Sequence, residues 1–143
     1  MTEREAVAVK EIGMATFQPY CAPGVFDPAG YTQAVKVTGA QTLLFISGQV
    51  AYDAGGAPAH RGDFVAQARA VFRALQAQAE AGGGTLKNIV KLTTFLTDMR
   101  HRADLVPVRE EFFGKKMPPS TLVAVTALAH PDWLIEVEAI AVL

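Results

Sequence analysis

The fold of this chain is decided by two stretches near its C-terminal end, PPSTLVAV at residues 118–125 and LIEVEAIAV at residues 134–142. Both are rich in apolar and β-branched residues, so they predict strands over 121–128 and 133–142, joined by the turn AHPD at 129–132. Because successive side chains of a strand alternate between its faces, Glu136 points away from Ile135 and Val137. Its carboxylate is the best catalytic candidate in the sequence.

The remaining residues add helices and further strands. Apolar residues at three- and four-residue steps predict an amphipathic helix from Asp63 to the glycines at 82–84. A second helix is predicted over 104–113, with Pro107 in its first turn. Other strands are predicted over 6–12, 33–37, 42–52 and 88–99, with a hairpin turn at 38–41 and a long loop over 14–30. This order favours an α+β fold with two helices on one face of a largely antiparallel sheet.

Length and composition limit the class of protein. A chain of 143 residues is the size of one domain, so we expect a single domain over residues 1–143. Half of the residues are apolar and 19% are charged, which excludes a disordered chain, and no apolar run approaches about 18 residues, which excludes a spanning helix. The charged start, Met1–Glu5, does not resemble a signal peptide. A cytoplasmic location is therefore expected.

The metal-binding and nucleic-acid-binding classes are not favoured. Cys21 is the only cysteine, and His60, His101 and His130 are far apart without the spacing of a metal site. The net charge is −1 and the isoelectric point is near 6.3, whereas nucleic-acid-binding domains are usually strongly basic. We expect no metal and no nucleic-acid partner.

The face of the last strand that carries Glu136 is too apolar to stand in water. This face also carries Leu134, Glu138, Ile140 and Val142. An exposed sheet face of this kind usually marks a partner, and a homo-oligomer that closes its sheets against one another is the simplest one.

Four ordered motifs give the chain a family resemblance. They are GYTQAV at 30–35, FISGQ at 45–49, IVKLTTFLTDM at 89–99 and IEVEAIA at 135–141. In these the chain resembles the reactive intermediate deaminase family, also called RidA, YjgF or endoribonuclease L-PSP. The resemblance implies a chorismate-mutase-like α+β subunit, a homotrimer around a central barrel, and three clefts between subunits. It also implies a small-molecule ligand and the hydrolysis of enamines and imines without a metal or cofactor.

Three residues match the site of the resembled family. Tyr31, Ser47 and Glu136 stand where that family has a cleft tyrosine, a serine and a water-orienting glutamate. Two of them have a simpler alternative: Glu136 as a solvated or paired strand charge, and Tyr31 as packing for the loop. Ser47 has no histidine near it in sequence, so a covalent role is not expected.

Other positions depart from the family pattern. The arginine that grips the substrate carboxylate is replaced by Ser120, and a frequent cysteine two residues later by Leu122. The usual Asn and Tyr of the second helix fall on Val106 and Arg109, and the proline before the tyrosine is Gly30. Loss of a guanidinium removes about 1.5–3 kcal/mol per charged hydrogen bond. Arg109 either reaches the cleft and replaces this charge, or lies exposed on its helix.

The sequence therefore favours an imine or enamine hydrolase with atypical specificity, in which Glu136 directs water and Tyr31, Ser47, Arg109, Ser120 and Leu122 contact the substrate. A trimer that binds a small ligand or a protein without catalysis is the alternative. Ribonuclease activity, which one family name suggests, is disfavoured by the near-neutral charge.

Overall fold

The computed structural model describes residues 10–12 and 15–143. Within this part of the chain, seven strands and two α-helices form the α+β fold that the sequence predicts. The elements are β1 Lys10–Ile12, β2 Ala15–Tyr20, β3 Ala34–Thr38, β4 Leu43–Gln49, α1 Phe64–Ala81, β5 Ile89–Leu96, α2 Arg102–Phe113, β6 Ser120–Ala124 and β7 Ile135–Val142. Residues 6–9 of the first predicted strand lie outside the described residues.

The strands form two sheets. The first has the order β1-β2-β3 and is antiparallel. The second has the order β4-β7-β5-β6, in which β7 is antiparallel to both neighbours and β5 is parallel to β6. The two C-terminal strands are therefore not adjacent, because β5 lies between them.

The predicted hairpin at 38–41 is wrong. β3 and β4 belong to different sheets, and β4 pairs with β7 from Leu43 opposite Val142 onward. Thr42 starts this ladder by exchanging hydrogen bonds with Leu143, at 3.0 Å from its N–H and 2.9 Å to its carbonyl. A pairing between residues about 100 positions apart has no signature in the local turn pattern.

The predicted loop over 14–30 is also partly wrong, because its first residues form β2. Ala15 and Phe17 are buried on one side of this strand, next to Val35 and Val37 of β3. Among the described residues, Pro19 pairs with Val35 of β3.

Helix α1 forms where the sequence predicts it. Asp63 caps its first turn by accepting a hydrogen bond from the Ala66 N–H at 3.0 Å, and Gly82 ends it. Its apolar face is buried against the sheet and consists of Phe64, Ala68, Val71, Phe72, Leu75 and Ala79. Among the described residues, neither α1 nor α2 could span a lipid bilayer.

Helix α2 starts two residues earlier than predicted, so Pro107 lies in its second turn rather than its first. The reason is a short 3-10 turn, Met99–His101, which is capped by Asp98 and runs directly into α2.

The helices cover one face of the four-stranded sheet. On β7, Ile135 and Val137 are fully buried on the helix side, and Glu136 and Glu138 lie on the opposite side. This alternation is as the sequence predicts. We call the side away from the helices the open face, with Phe45 of β4, Lys91 and Thr93 of β5, and Glu136, Glu138 and Ile140 of β7.

Candidate active site

A cavity of about 520 Å³ lies between α2, strand β6 and the loop before β3. Its lining includes four of the six predicted site residues, Tyr31, Arg109, Ser120 and Leu122. The other lining residues are Pro28, Gly30, Met99 and Arg102. We call this the arginine cavity.

Tyr31 is held in the arginine cavity by backbone pairing with the segment before β6. The Thr32 N–H donates to the Met117 carbonyl at 2.7 Å, and the Met117 N–H donates to the Gly30 carbonyl at 3.0 Å. Lys116 adds an ion pair with Asp27 at 3.4 Å. Since β6 begins three residues after Met117, this pairing places Tyr31 beside Ser120.

Ser120 and Leu122 enter the cavity from strand β6. They pair in parallel register with Leu92 and Thr94 of β5, which are both buried. Paired residues share a face of the sheet, so Ser120 and Leu122 lie on the helix side. The hydroxyl at position 120 is therefore directed to the same space as α2.

Arg109 lines the cavity from α2 and is partly buried rather than fully exposed. Its Nη2 lies 2.9 Å from the point that a Cβ on Gly30 would occupy, so only a glycine leaves this space free. Its Nε is buried and has no hydrogen-bond partner among the described residues. Burial lowers the pKa of Arg109, and nearby Arg102 lowers it further, against the opposite effect of Glu110.

Glu136 and Ser47 lie elsewhere. Phe95 is the partner of Glu136 on β5, which places the carboxylate on the open face. The Glu136 side chain lies over Gly48, where its Oε1, Cδ and Cγ fill the space of a Cβ. The register of β4 against β7 shifts between Ile46 and Gln49, so Ser47 and Gly48 form a bulge, as a glycine inside a predicted strand suggests.

One chain does not bring the six predicted residues together. Ser47 lines a shallow open-face cavity of about 270 Å³ with Glu138 and Lys91, whereas Tyr31 and Arg109 line the arginine cavity on the helix side. The sheet lies between the two groups.

Sequence reasoning missed Arg102, Met99 and Pro28 as lining residues. Arg102 had a usable signal, since it precedes Arg109 by seven residues, or about two helical turns, and so shares its face. Met99 and Pro28 carry no such signal, because their contact with the cavity depends on where the loops pack. No group of three or more His, Cys, Asp or Glu suited to a metal ion occurs in residues 10–12 and 15–143.

Solved structures of Rid-type proteins share this fold. The fold matches a crystal structure from Yersinia pestis, described as a protein of unknown function of the Rid family, with a TM-score of 0.78 and 27% identity over 89% of this chain and 98% of the other. RidA from an Antarctic Psychrobacter matches with a TM-score of 0.66 and 33% identity over 86% and 92% of the two chains.

Comparison of the amino-acid sequence with known families and proteins points to the same family as the solved structures. The family described as Endoribonuclease L-PSP matches residues 26–143. A RutC family protein of Pyrococcus horikoshii is 39% identical over 78% of this chain and 85% of its own length. Protein DfrA of Myxococcus xanthus is 36% identical over 85% and 89% of the two chains. The chain therefore belongs to the RidA family, also known as YjgF or endoribonuclease L-PSP. Membership supports, at the level of the family, a role as a small-molecule deaminase or an L-PSP-type endoribonuclease.

Proposed function

We propose that this chain is a hydrolase of small imines or enamines, which acts in the cytoplasm as a homotrimer with its sites between subunits. Glu136 directs the attacking water in this proposal, and its position is the observation that carries it. The carboxylate is partly buried and is seated over the Gly48 bulge, where a side chain of any other residue type would displace it.

The chemistry needs only a positioned carboxylate and water. Glu136 accepts a proton from water as the water oxygen bonds to the carbon of a protonated imine, which gives a carbinolamine. Proton transfer to nitrogen and cleavage of the C–N bond then release ammonia and leave a carbonyl compound. An enamine enters the same route after it takes up a proton at carbon.

The open face supports an assembly of several copies. Leu43, Phe45 and Val123 are 55%, 74% and 38% exposed there, which is costly for large apolar side chains on a lone sheet. Glu136 and Ser47 belong to this face, and the arginine cavity opens at the β6 side of the same sheet. Contact between the open face of one copy and the β6 edge of the next would unite both groups in one cleft.

The test is ammonia release from imines that an amino-acid oxidase generates in situ. The unmodified protein should accelerate release across at least part of a panel of amino acids. Glu136→Gln should slow it by about 10²- to 10⁴-fold, because the amide cannot accept the proton. Glu80→Gln, at an exposed position of α1 away from both groups of site residues, is the matched control and should keep activity. Absence of any acceleration across the panel would reject the proposal.

A second candidate function is ligand binding without turnover, which the loss of the family arginine at Ser120 favours. Binding of a 2-oxo acid in calorimetry, together with no ammonia release from any imine, would support this candidate. Single-stranded RNA is tested alongside the 2-oxo acid and the imines. Its cleavage by the protein would instead favour the ribonuclease role.

A further inference from the structure

The side chain of Arg109 is a cation with no ion-pair partner among the described residues, and Glu110 of the same helix offsets its charge only without direct contact. No ion pair or hydrogen bond joins its guanidinium to another residue of the described chain, although its Nε is buried. Arg109 is only partly buried, but a partly desolvated charge without a partner still carries a cost, and a ligand that supplies the partner removes it.

Arg102 adds a second positive charge to the same space. It lies on the same face of α2 as Arg109, lines the same cavity, and is close enough to lower the pKa of Arg109. No aspartate or glutamate of the described chain lines the arginine cavity. The local field therefore favours an anion.

The remaining lining limits the shape of the anion. Tyr31, Met99, Leu122 and Pro28 surround the guanidinium groups with largely apolar surface, and Ser120 adds a neutral hydroxyl. A small inorganic ion would leave this apolar surface uncovered. A carboxylate attached to a short hydrocarbon body matches both parts of the cavity.

We infer that Arg109 is the specificity-determining residue of this site, which binds the carboxylate of a 2-imino acid with an aliphatic or aromatic side chain. Arg102 strengthens the field, Ser120 donates a hydrogen bond, and Gly30 provides the space for the guanidinium. This inference rests on the proposed function for the identity of the bound molecule as an imino acid. The positive charge that the family pattern places on β6 at position 120 is thus supplied in this chain by Arg109 of α2.

Binding of a stable product analogue tests the inference without turnover. The probe is 4-methyl-2-oxopentanoate, and its methyl ester is the uncharged comparison, both measured by calorimetry. The unmodified protein should bind the acid at least 10-fold more tightly than the ester, and Arg109→Gln should weaken the acid by about 10- to 100-fold while leaving the ester unchanged. Arg73→Gln, which removes an exposed arginine of α1, is the control and should change neither affinity.

Two further variants test position rather than charge. Gly30→Ala keeps Arg109 but places a methyl group 2.9 Å from its Nη2, so it should displace the guanidinium and weaken acid binding by several-fold. In the Arg109→Gln background, Ser120→Arg returns a guanidinium to the cavity from β6 and should restore affinity for the acid. A merely structural arginine would not be rescued from another element.

Folding is checked by thermal unfolding. Arg109→Gln should unfold at the same or a higher temperature than the unmodified protein, because it removes a desolvated charge. Equal affinity for acid and ester, or unchanged acid binding in Arg109→Gln, would overturn the inference even if imines are hydrolysed. Selective acid binding without ammonia release would instead uphold the role of Arg109 and reject the proposed catalysis.

Discussion

At the scale of single residues, two glycines make room for the two ionised groups that the proposals use. Gly48 leaves space for the Glu136 carboxylate, and Gly30 leaves space for the Arg109 guanidinium. Neither glycine has a left-handed backbone conformation. The absence of a side chain, rather than backbone freedom, is what these positions require.

This close approach gives a prediction for Gly48→Ala. The new methyl group would overlap the Glu136 side chain and push the carboxylate off the bulge. Imine hydrolysis should fall nearly as far as in Glu136→Gln, about 10²-fold or more. Gly55→Ala is the control, since a Cβ there would lie 3.4 Å from its nearest neighbour atom, an ordinary contact. Full activity of Gly48→Ala would show that imine hydrolysis does not depend on the position of Glu136 over Gly48.

At the scale of elements, α1 fixes the start of the strand that carries Glu136. The fully buried side chain of Gln67 accepts a hydrogen bond from the Leu134 N–H at 2.9 Å and donates to the Asp132 carbonyl at 2.8 Å. It also donates to the His60 carbonyl at 3.2 Å. The side-chain amide of Gln67 thereby joins the loop before α1 to the residues just before β7.

Gln67→Leu should therefore destabilise the protein by roughly 2–4 kcal/mol, because it leaves buried backbone groups without partners. The free energy of unfolding in urea measures this. Gln78→Leu, at an exposed position of the same helix, is the matched control and should change it by less than about 0.5 kcal/mol. Equal stability of the two variants would mean that water replaces the lost partners of Gln67.

The turn before α2 predicts a dependence on pH. The Arg100 guanidinium and the Arg100 backbone N–H, at 2.6 and 2.9 Å, hold the pKa of Asp98 at about 2. Because this is below the value of about 3.9 for an unfolded aspartate, the stabilisation is complete above that value and is lost as the pH falls towards about 2.

Asp98→Asn keeps the capping oxygen but removes the charge. The variant should be less stable than the unmodified protein near neutral pH, and the difference should shrink as the pH falls through this window. Urea unfolding at a series of pH values measures both curves. Since the pair is exposed, added salt should also reduce the difference. If the difference in the free energy of unfolding between the two proteins stays constant with pH, the Asp98–Arg100 ion pair is not its cause.

At the scale of the whole molecule, the proposed cleft depends on contact between the open face of one copy and the β6 edge of another. Phe45→Glu places a charge on its most exposed large apolar residue, where contact between copies would bury it. We expect this variant to be monomeric in sedimentation velocity and to lose imine hydrolysis, with its fold intact by circular dichroism. Ala77→Glu adds the same charge at an exposed position of α1 and should leave the assembly unchanged. A monomeric unmodified protein, or an active monomeric variant, would contradict the proposed cleft.

Much of the architecture follows from local patterns in the sequence. The bounds of α1, the alternation along β7, the orientation of Glu136 and the motifs of the RidA family depend on residue spacing, which a single segment carries by itself. The bulge at Gly48 belongs here too, because a glycine inside a strand often marks a bulge or a close approach by another group.

Only the tertiary structure decided the rest. The sheet order, the separation of β3 from β4 and the parallel β5–β6 pair depend on contacts between residues far apart in sequence. The two alternatives for Arg109, exposed or in the cavity, differ only in how α2 packs against Gly30 and β6. A helical pattern gives the face of a residue but not what lies opposite that face, and this is why the contact of Arg109 with the cavity could be found only in three dimensions.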